Sequence, residues 1–285
     1  MTSPLVSAAE LRDRLAASDP RLLVIDASFD LSDTQAGERG HAAARIPGAL
    51  YLHLDRDLSA ARTGLSGRHP LPSREAFAAR MAELGAQPDS AIVAYDGSGG
   101  MYAARLWWML RWAGHADVRL LDGGMAAWRA LGGAIESGPV AARGAGRFSL
   151  RAPLVEAVDH VTLRAGLGQA GAPLVVDARS ADRFRGENET LDPVGGHIPG
   201  AANRFFRDNL GADGRFKPAD QLRAEWRAVI GDRPATELVQ QCGSGVTACH
   251  NLVALEVAGL GTSRLYPGSW SEWCAQPGAP IAVGA

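Results

Sequence analysis

Short apolar-centred runs punctuate this chain at Leu22–Asp26, Ala91–Tyr95, Val118–Leu121, Leu174–Asp177 and residues 237–241. Four or five residues of largely apolar character, set between loop-forming Pro, Gly and Asp, predict strands covered on both faces. Between these runs the spacing changes to that of helices. Ser7-Ala8-Ala9-Glu10 reads as a capping box opening a helix to Leu15, and further helices are expected over 73–84, 101–113 and 125–131. In the last third, Val246, Cys249, Leu252, Val253 and Val257 recur at helical intervals until Gly259. Strands alternating with helices predict an α/β fold, a mostly parallel sheet with helices on both faces.

The pattern occurs twice. Leu23-Val24-Ile25-Asp26 is echoed by Leu174-Val175-Val176-Asp177, and Arg45-Ile46-Pro47-Gly48-Ala49 by His197-Ile198-Pro199-Gly200-Ala201. Tyr95-Asp96-Gly97-Ser98-Gly99 is echoed by Gln241-Cys242-Gly243-Ser244-Gly245, and the stretch ending at Trp128 by the one ending at Trp273. All four pairs keep their order at a separation of about 150 residues, which marks a tandem duplication of one domain. The expected boundaries are 1–137 for the first copy, 138–152 for a Gly-, Ala- and Arg-rich connection, and 153–285 for the second copy. The copies differ most at one position: Asp96 stands where the second copy has Cys242.

Composition narrows the function classes. A formal net charge of -2 over 285 residues gives no global reason for a nucleic-acid or anionic-membrane partner. No run reaches the length of a spanning helix, and the first residues carry no basic segment followed by an apolar one, so a cytoplasmic protein is expected. Three cysteines, Cys242, Cys249 and Cys274, are too few and too oddly spaced for a disulfide framework or a zinc site. No metal or organic cofactor is expected. The tryptophans at 107, 108, 128, 270 and 273 read as core residues.

Cys242 lies where a predicted strand gives way to a predicted helix, bracketed by Gly243 and Gly245. Glycines there let several backbone N–H groups converge, and the helix start adds partial positive charge. Such a cradle favours a thiolate, the form that attacks and carries transferred groups. Cys249 and Cys274 read as structural. His197 does too, since the first copy has Arg45 at its place.

On these motifs, together with Leu121-Asp122-Gly123-Gly124 and Trp107-Trp108-Met109, the chain resembles the two-domain rhodanese-type sulfurtransferases over essentially its whole length. The resemblance implies an inactive first domain, a catalytic second domain, a site at their interface, and sulfur carried as a persulfide on Cys242. The loop Cys-Gly-Ser-Gly-Val-Thr resembles that of the members using 3-mercaptopyruvate. Its backbone at Gly243, Gly245, Val246 and Thr247 is then the substrate cradle. The resemblance also implies a catalytic series of Ser244, His69 and Asp55, and a substrate carboxylate held by Arg183. A second carboxylate-binding arginine of the pattern is absent, and Asp192 occupies its place. Thiosulfate therefore stands as the alternative donor; the acceptor is expected to be a small thiol, thioredoxin or cyanide. Two other classes are disfavoured. A cysteine phosphatase would place an arginine six residues after the cysteine, where this chain has Ala248, and a pure docking module of this fold commonly lacks the cysteine.

Overall fold

A computed structural model describes residues 3–141 and 143–284. The chain forms two compact units, each with its own sheet. One unit comprises the chain up to Ala60, Pro72–Leu154 and Ala212–Arg215; the other comprises Ala61–Leu71, Val155–Gly211 and the chain from Phe216 onward.

In the first unit the chain runs through β1 (Leu5–Val6), α1 (Ala8–Ala16), β2 (Leu22–Asp26), α2 (Ala36–Ala43), β3 (Leu50–Tyr51) and α3 (Leu54–Asp57). It continues with α4 (Arg74–Glu83), β4 (Ala91–Tyr95), α5 (Ala103–Trp112), β5 (Val118–Leu121) and α6 (Gly124–Ala130). The five strands are ordered β1-β5-β4-β2-β3, and every pairing is parallel. β2 and β4 are buried at all their residues, which is why they read as unbroken apolar runs rather than alternating ones. The Ser7 side chain accepts the Glu10 N–H at 3.1 Å and so starts α1, and Ser73 does the same for α4 through Ala76. The glycine-rich stretch expected as a connection is bonded to this unit: Gly146 N–H donates to Ala82 O at 2.7 Å, and Arg151 N–H to Ala113 O at 3.0 Å.

The second unit repeats the plan with α7 (His160–Gly166), β6 (Leu174–Asp177), α8 (Ala181–Arg185), β7 (Ala202–Asn203), α9 (Ala219–Ile230), β8 (Leu238–Gln241), α10 (Ala248–Val257), β9 (Arg264–Leu265) and α11 (Ser269–Trp273). Its parallel sheet is ordered β7-β6-β8-β9. Two apolar clusters pack it. One gathers Val175, Val239, Tyr266, Trp270 and Trp273, the other Val176, Leu222, Trp226, Leu238 and Leu255. Because β8 is flanked by β6 and β9, its C-terminal end is fixed laterally. Cys242 begins at that end.

His197 is structural here: its Nδ1 lies 2.9 Å from Phe184 O and its ring stacks on Phe184 at 3.8 Å. Trp107, Trp108, Trp128, Trp270 and Trp273 are all fully buried. Among the described residues no helix is long and apolar enough to cross a membrane.

Candidate active site

Helix α10 starts at Ala248, two residues later than the apolar spacing predicts, so Cys242–Thr247 forms a full turn between strand and helix. Gly245 makes that turn possible. Its φ is +76°, and a Cβ there would lie 2.2 Å from Pro267 O, so any side chain would open the turn. In return, Gly245 N–H points at Cys242 Sγ from 3.2 Å. The sulfur is buried, with the residue 2 % exposed.

The base of the turn is held by α11. Trp270 N–H donates to Cys242 O at 3.0 Å, and Ser271 N–H to Gly243 O at 2.9 Å. Cys242 N–H donates to Ser269 Oγ at 3.1 Å, and that hydroxyl donates to Tyr266 O at 2.9 Å. Ser269 sits at φ +55°, a left-handed conformation that side chains rarely adopt. The strain is sustained by the two hydrogen bonds its hydroxyl makes. No feature of the local sequence marks Ser269, because its role depends on a turn 27 residues earlier.

Beside the cysteine, His69 Nδ1 lies 2.7 Å from Ser244 Oγ, with both residues buried. His69 reaches this place because Ala61–Leu71 packs with the second unit, although the sequence places it within the first copy. The docking is specific: Arg68 N–H donates to Ser271 Oγ at 3.0 Å, and a Cβ on Gly67 would lie 2.5 Å from Gly268 O. Asp55 belongs to the first unit, on α3, where its N–H donates to His53 Nδ1 at 3.1 Å.

Three guanidinium groups and three carboxylates form the remaining polar structure. Arg179 is buried, binds Asp177 through Nε at 3.0 Å and Nη2 at 2.6 Å, and lies over the Trp270 ring at 4.7 Å. Burial works against its charge, but Asp177, Glu189 and the sulfur of Cys242 outweigh that and raise its pKa. Arg179 is thus the cation paired with Asp177, and sequence reading had no motif to single it out. Arg183 binds Glu189 through Nε at 3.0 Å and Nη2 at 2.8 Å, with Asp192 at 3.5 Å. Arg68 pairs with Asp192 through Nη1. Burial pushes the Asp192 carboxyl above its ordinary range, against the pull of Arg68 and Arg183. At Glu189, the hydrogen bonds from Arg183 and from Leu191 N–H overcome burial and lower the pKa.

The other thiols are disposed differently. Cys249 is buried in α10 with its Sγ donating to Gly245 O at 3.4 Å. Cys274 is partly exposed, and burial with nearby Asp192 pushes its thiol up to about 11.

The first unit builds the matching turn around Asp96. Its Oδ1 accepts Ser98 N–H at 2.7 Å and Gly100 N–H at 2.9 Å, and its Oδ2 accepts Tyr102 N–H and Ala103 N–H, both at 2.9 Å.

Comparison with known proteins gives the family. The model of the rhodanese-like domain matches residues 7–131 and 160–276. A probable 3-mercaptopyruvate sulfurtransferase of Pseudomonas aeruginosa is 49% identical over 285 residues, covering 99% of both chains. A putative thiosulfate sulfurtransferase of Mycobacterium tuberculosis is 38% identical, covering 98% of this chain and 97% of its own. Among solved structures, the 3-mercaptopyruvate sulfurtransferase from Leishmania major superposes with a TM-score of 0.86 at 30% identity, over 98% of this chain and 76% of that one. The crystal structure of a 3-mercaptopyruvate sulfurtransferase from Escherichia coli gives 0.80 at 32% identity, over 95% and 100%.

Proposed function

We propose that this chain, which belongs to the rhodanese family, is a sulfurtransferase that takes sulfur from 3-mercaptopyruvate onto Cys242 and hands it to a thiol acceptor. The observation that carries the reading is the 2.7 Å approach of His69 Nδ1 to Ser244 Oγ, two residues beyond the cradled sulfur of Cys242.

In the first half-reaction the Cys242 thiolate attacks the donor sulfur. An S–S bond forms, the donor C–S bond breaks, and its electron pair passes to the carbon that becomes the methyl group of pyruvate. That carbon takes up one proton, balanced by the proton the donor thiol loses. Ser244 and His69 form a hydroxyl–imidazole pair suited to polarising the donor carbonyl and relaying this proton. In the second half-reaction an acceptor thiolate attacks the outer sulfur of the persulfide, and the Cys242 thiolate leaves. Small thiols, thioredoxin and cyanide are the acceptors proposed. The three free cysteines accord with a reducing, cytoplasmic setting.

We assign catalytic roles to Cys242, Ser244, His69 and Asp55, the last on the family pattern alone; cradle roles to Gly243, Gly245, Val246 and Thr247; and substrate binding to Arg183. Intact-mass measurement after mixing with 3-mercaptopyruvate is expected to show one added sulfur atom on the wild type and none on Cys242→Ser. Equal gain by both would refute the scheme. Asp55→Asn is expected to lower kcat about tenfold, and an unchanged kcat removes Asp55 from the series.

Thiosulfate is the second reading, favoured by the guanidinium groups of Arg68 and Arg183 beside Gly243, which suit a dianion. The ratio of kcat/KM for the two donors decides, and a larger value for thiosulfate would reverse the assignment.

A further inference from the structure

We infer that Arg68 and Arg183 together form the subsite for the anionic group of the sulfur donor, Arg68 supplying the cation that the sequence lacks at position 192. The inference deepens the functional reading above and rests on it. Both guanidinium groups converge on the residue that follows Cys242. A Cβ on Gly243 would lie 2.7 Å from Arg68 Nη2 and 3.6 and 3.7 Å from Arg183 Nη2 and Nη1. Gly243, having no side chain, thus lets both guanidinium groups come up against the backbone one residue from the reacting sulfur.

The two cations are held in place by a deeper layer of carboxylates. Glu189 and Asp192 have side chains only 4% and 3% exposed, whereas those of Arg183 and Arg68 are 19% and 18% exposed. Each guanidinium therefore spends one edge on a buried carboxylate and keeps some surface toward solvent. A planar fork fixed in this manner suits bidentate capture of a carboxylate at little further entropic cost.

A reversal of charge at one position explains the recruitment. An arginine at 192 would project a cation from its own backbone. Asp192 instead is a buried carboxylate that needs a partner, and Arg68 provides it through space. The location of Arg68 is built rather than incidental. Gly67 permits the close approach to Gly268, and the Ser271 hydroxyl accepts the Arg68 N–H. The cation beside Asp192 comes from 124 residues away in the sequence.

Steady-state kinetics with 3-mercaptopyruvate, paired with pyruvate binding read by tryptophan fluorescence, tests the assignment. Arg68→Gln is expected to raise KM about tenfold or more with kcat within about threefold, and to weaken pyruvate binding by the same factor. Arg68→Lys, which keeps the charge without the fork, falls between the two. Combining Arg68→Gln with Asp192→Arg is expected to bring KM back to within about threefold of the wild type. An Arg68→Gln enzyme with KM and pyruvate affinity within twofold of the wild type overturns the inference and leaves the functional reading intact. So does a variant that loses Tm and kcat with KM unchanged, because Arg68 is then purely structural. A wild type that gains no sulfur from the donor sinks the functional reading instead. Pyruvate binding still decides the subsite in that case: a tenfold loss in Arg68→Gln supports it, and equal affinity overturns it.

Discussion

The turns around Asp96 and Cys242 are two solutions to one backbone problem. Each follows a fully buried parallel strand, leads into a helix and turns backbone N–H toward the side chain at its base. In the first unit a carboxylate fills the cradle and accepts four N–H groups, so the turn is complete in itself. In the second, the shorter cysteine receives Gly245 N–H alone among the hydrogen bonds seen to its sulfur.

The supporting residues diverge in the same sense. Gly124 and Ser269 occupy matching positions at φ +54° and +55°. A Cβ at Gly124 would lie 2.3 Å from Asp96 O, so the first unit has no space for a side chain there. The second unit has that space and uses it: the Ser269 hydroxyl ties down Cys242 N–H.

The comparison is most severely tested by making the second turn like the first. Cys242→Asp is expected to lower sulfur transfer by at least about 10³-fold, since no nucleophile remains, while thermal unfolding confirms that the turn still folds. Measurable persulfide on this variant would break the comparison outright. Next in size is the hydroxyl–imidazole pair, which the first turn lacks. Ser244→Ala and His69→Gln are each expected to cut kcat with 3-mercaptopyruvate by about 10²-fold. The double variant should lose little more than either single one, as residues acting as a unit do; fully multiplicative losses would show the pair to be independent.

Asp96→Ala probes the completed turn. Leaving four N–H groups, three of them buried, without their acceptor is expected to cost about 2–4 kcal/mol, read as a drop in denaturant midpoint, with kcat per folded molecule unchanged. A midpoint within error of the wild type would mean that the carboxylate is not what closes the turn. The smallest effect belongs to Ser269→Gly, which relieves left-handed strain of about 1 kcal/mol while removing the hydroxyl. Stability is expected to move by less than about 1 kcal/mol, and kcat/KM to fall about threefold to tenfold as the turn loosens. Unaltered kcat/KM would make Ser269 a folding residue only.

Several features were legible from short stretches of sequence. The strand before Asp96 read correctly because an unbroken apolar run has few other uses, and the one before Cys242 from its Leu238-Val239 pair. The helix after Cys242 began two residues late, since Val246 and Thr247 carry helical spacing but serve the turn. The resemblance singled out His69 and Ser244 as partners, and the structure puts them in hydrogen-bonding distance. Arg179 and Arg68 escaped notice for a different reason. Their significance comes from carboxylates and a backbone turn that only folding brings close, and an arginine beside a histidine in a loop has no local pattern to betray it.

The sequence by itself determined the duplication, the α/β class, the cysteine turn and its two glycines, because these rest on short-range rules: strand and helix periodicity, and the conformations open to glycine. Tertiary structure decided which charges surround that turn. It assigned Ala61–Leu71 to the second unit, bringing His69 to Ser244 and Arg68 to Asp192. Electrostatic and hydrogen-bonding partners are chosen by distance in space, and a buried carboxylate at Asp192 requires a cation without specifying from which part of the chain it comes.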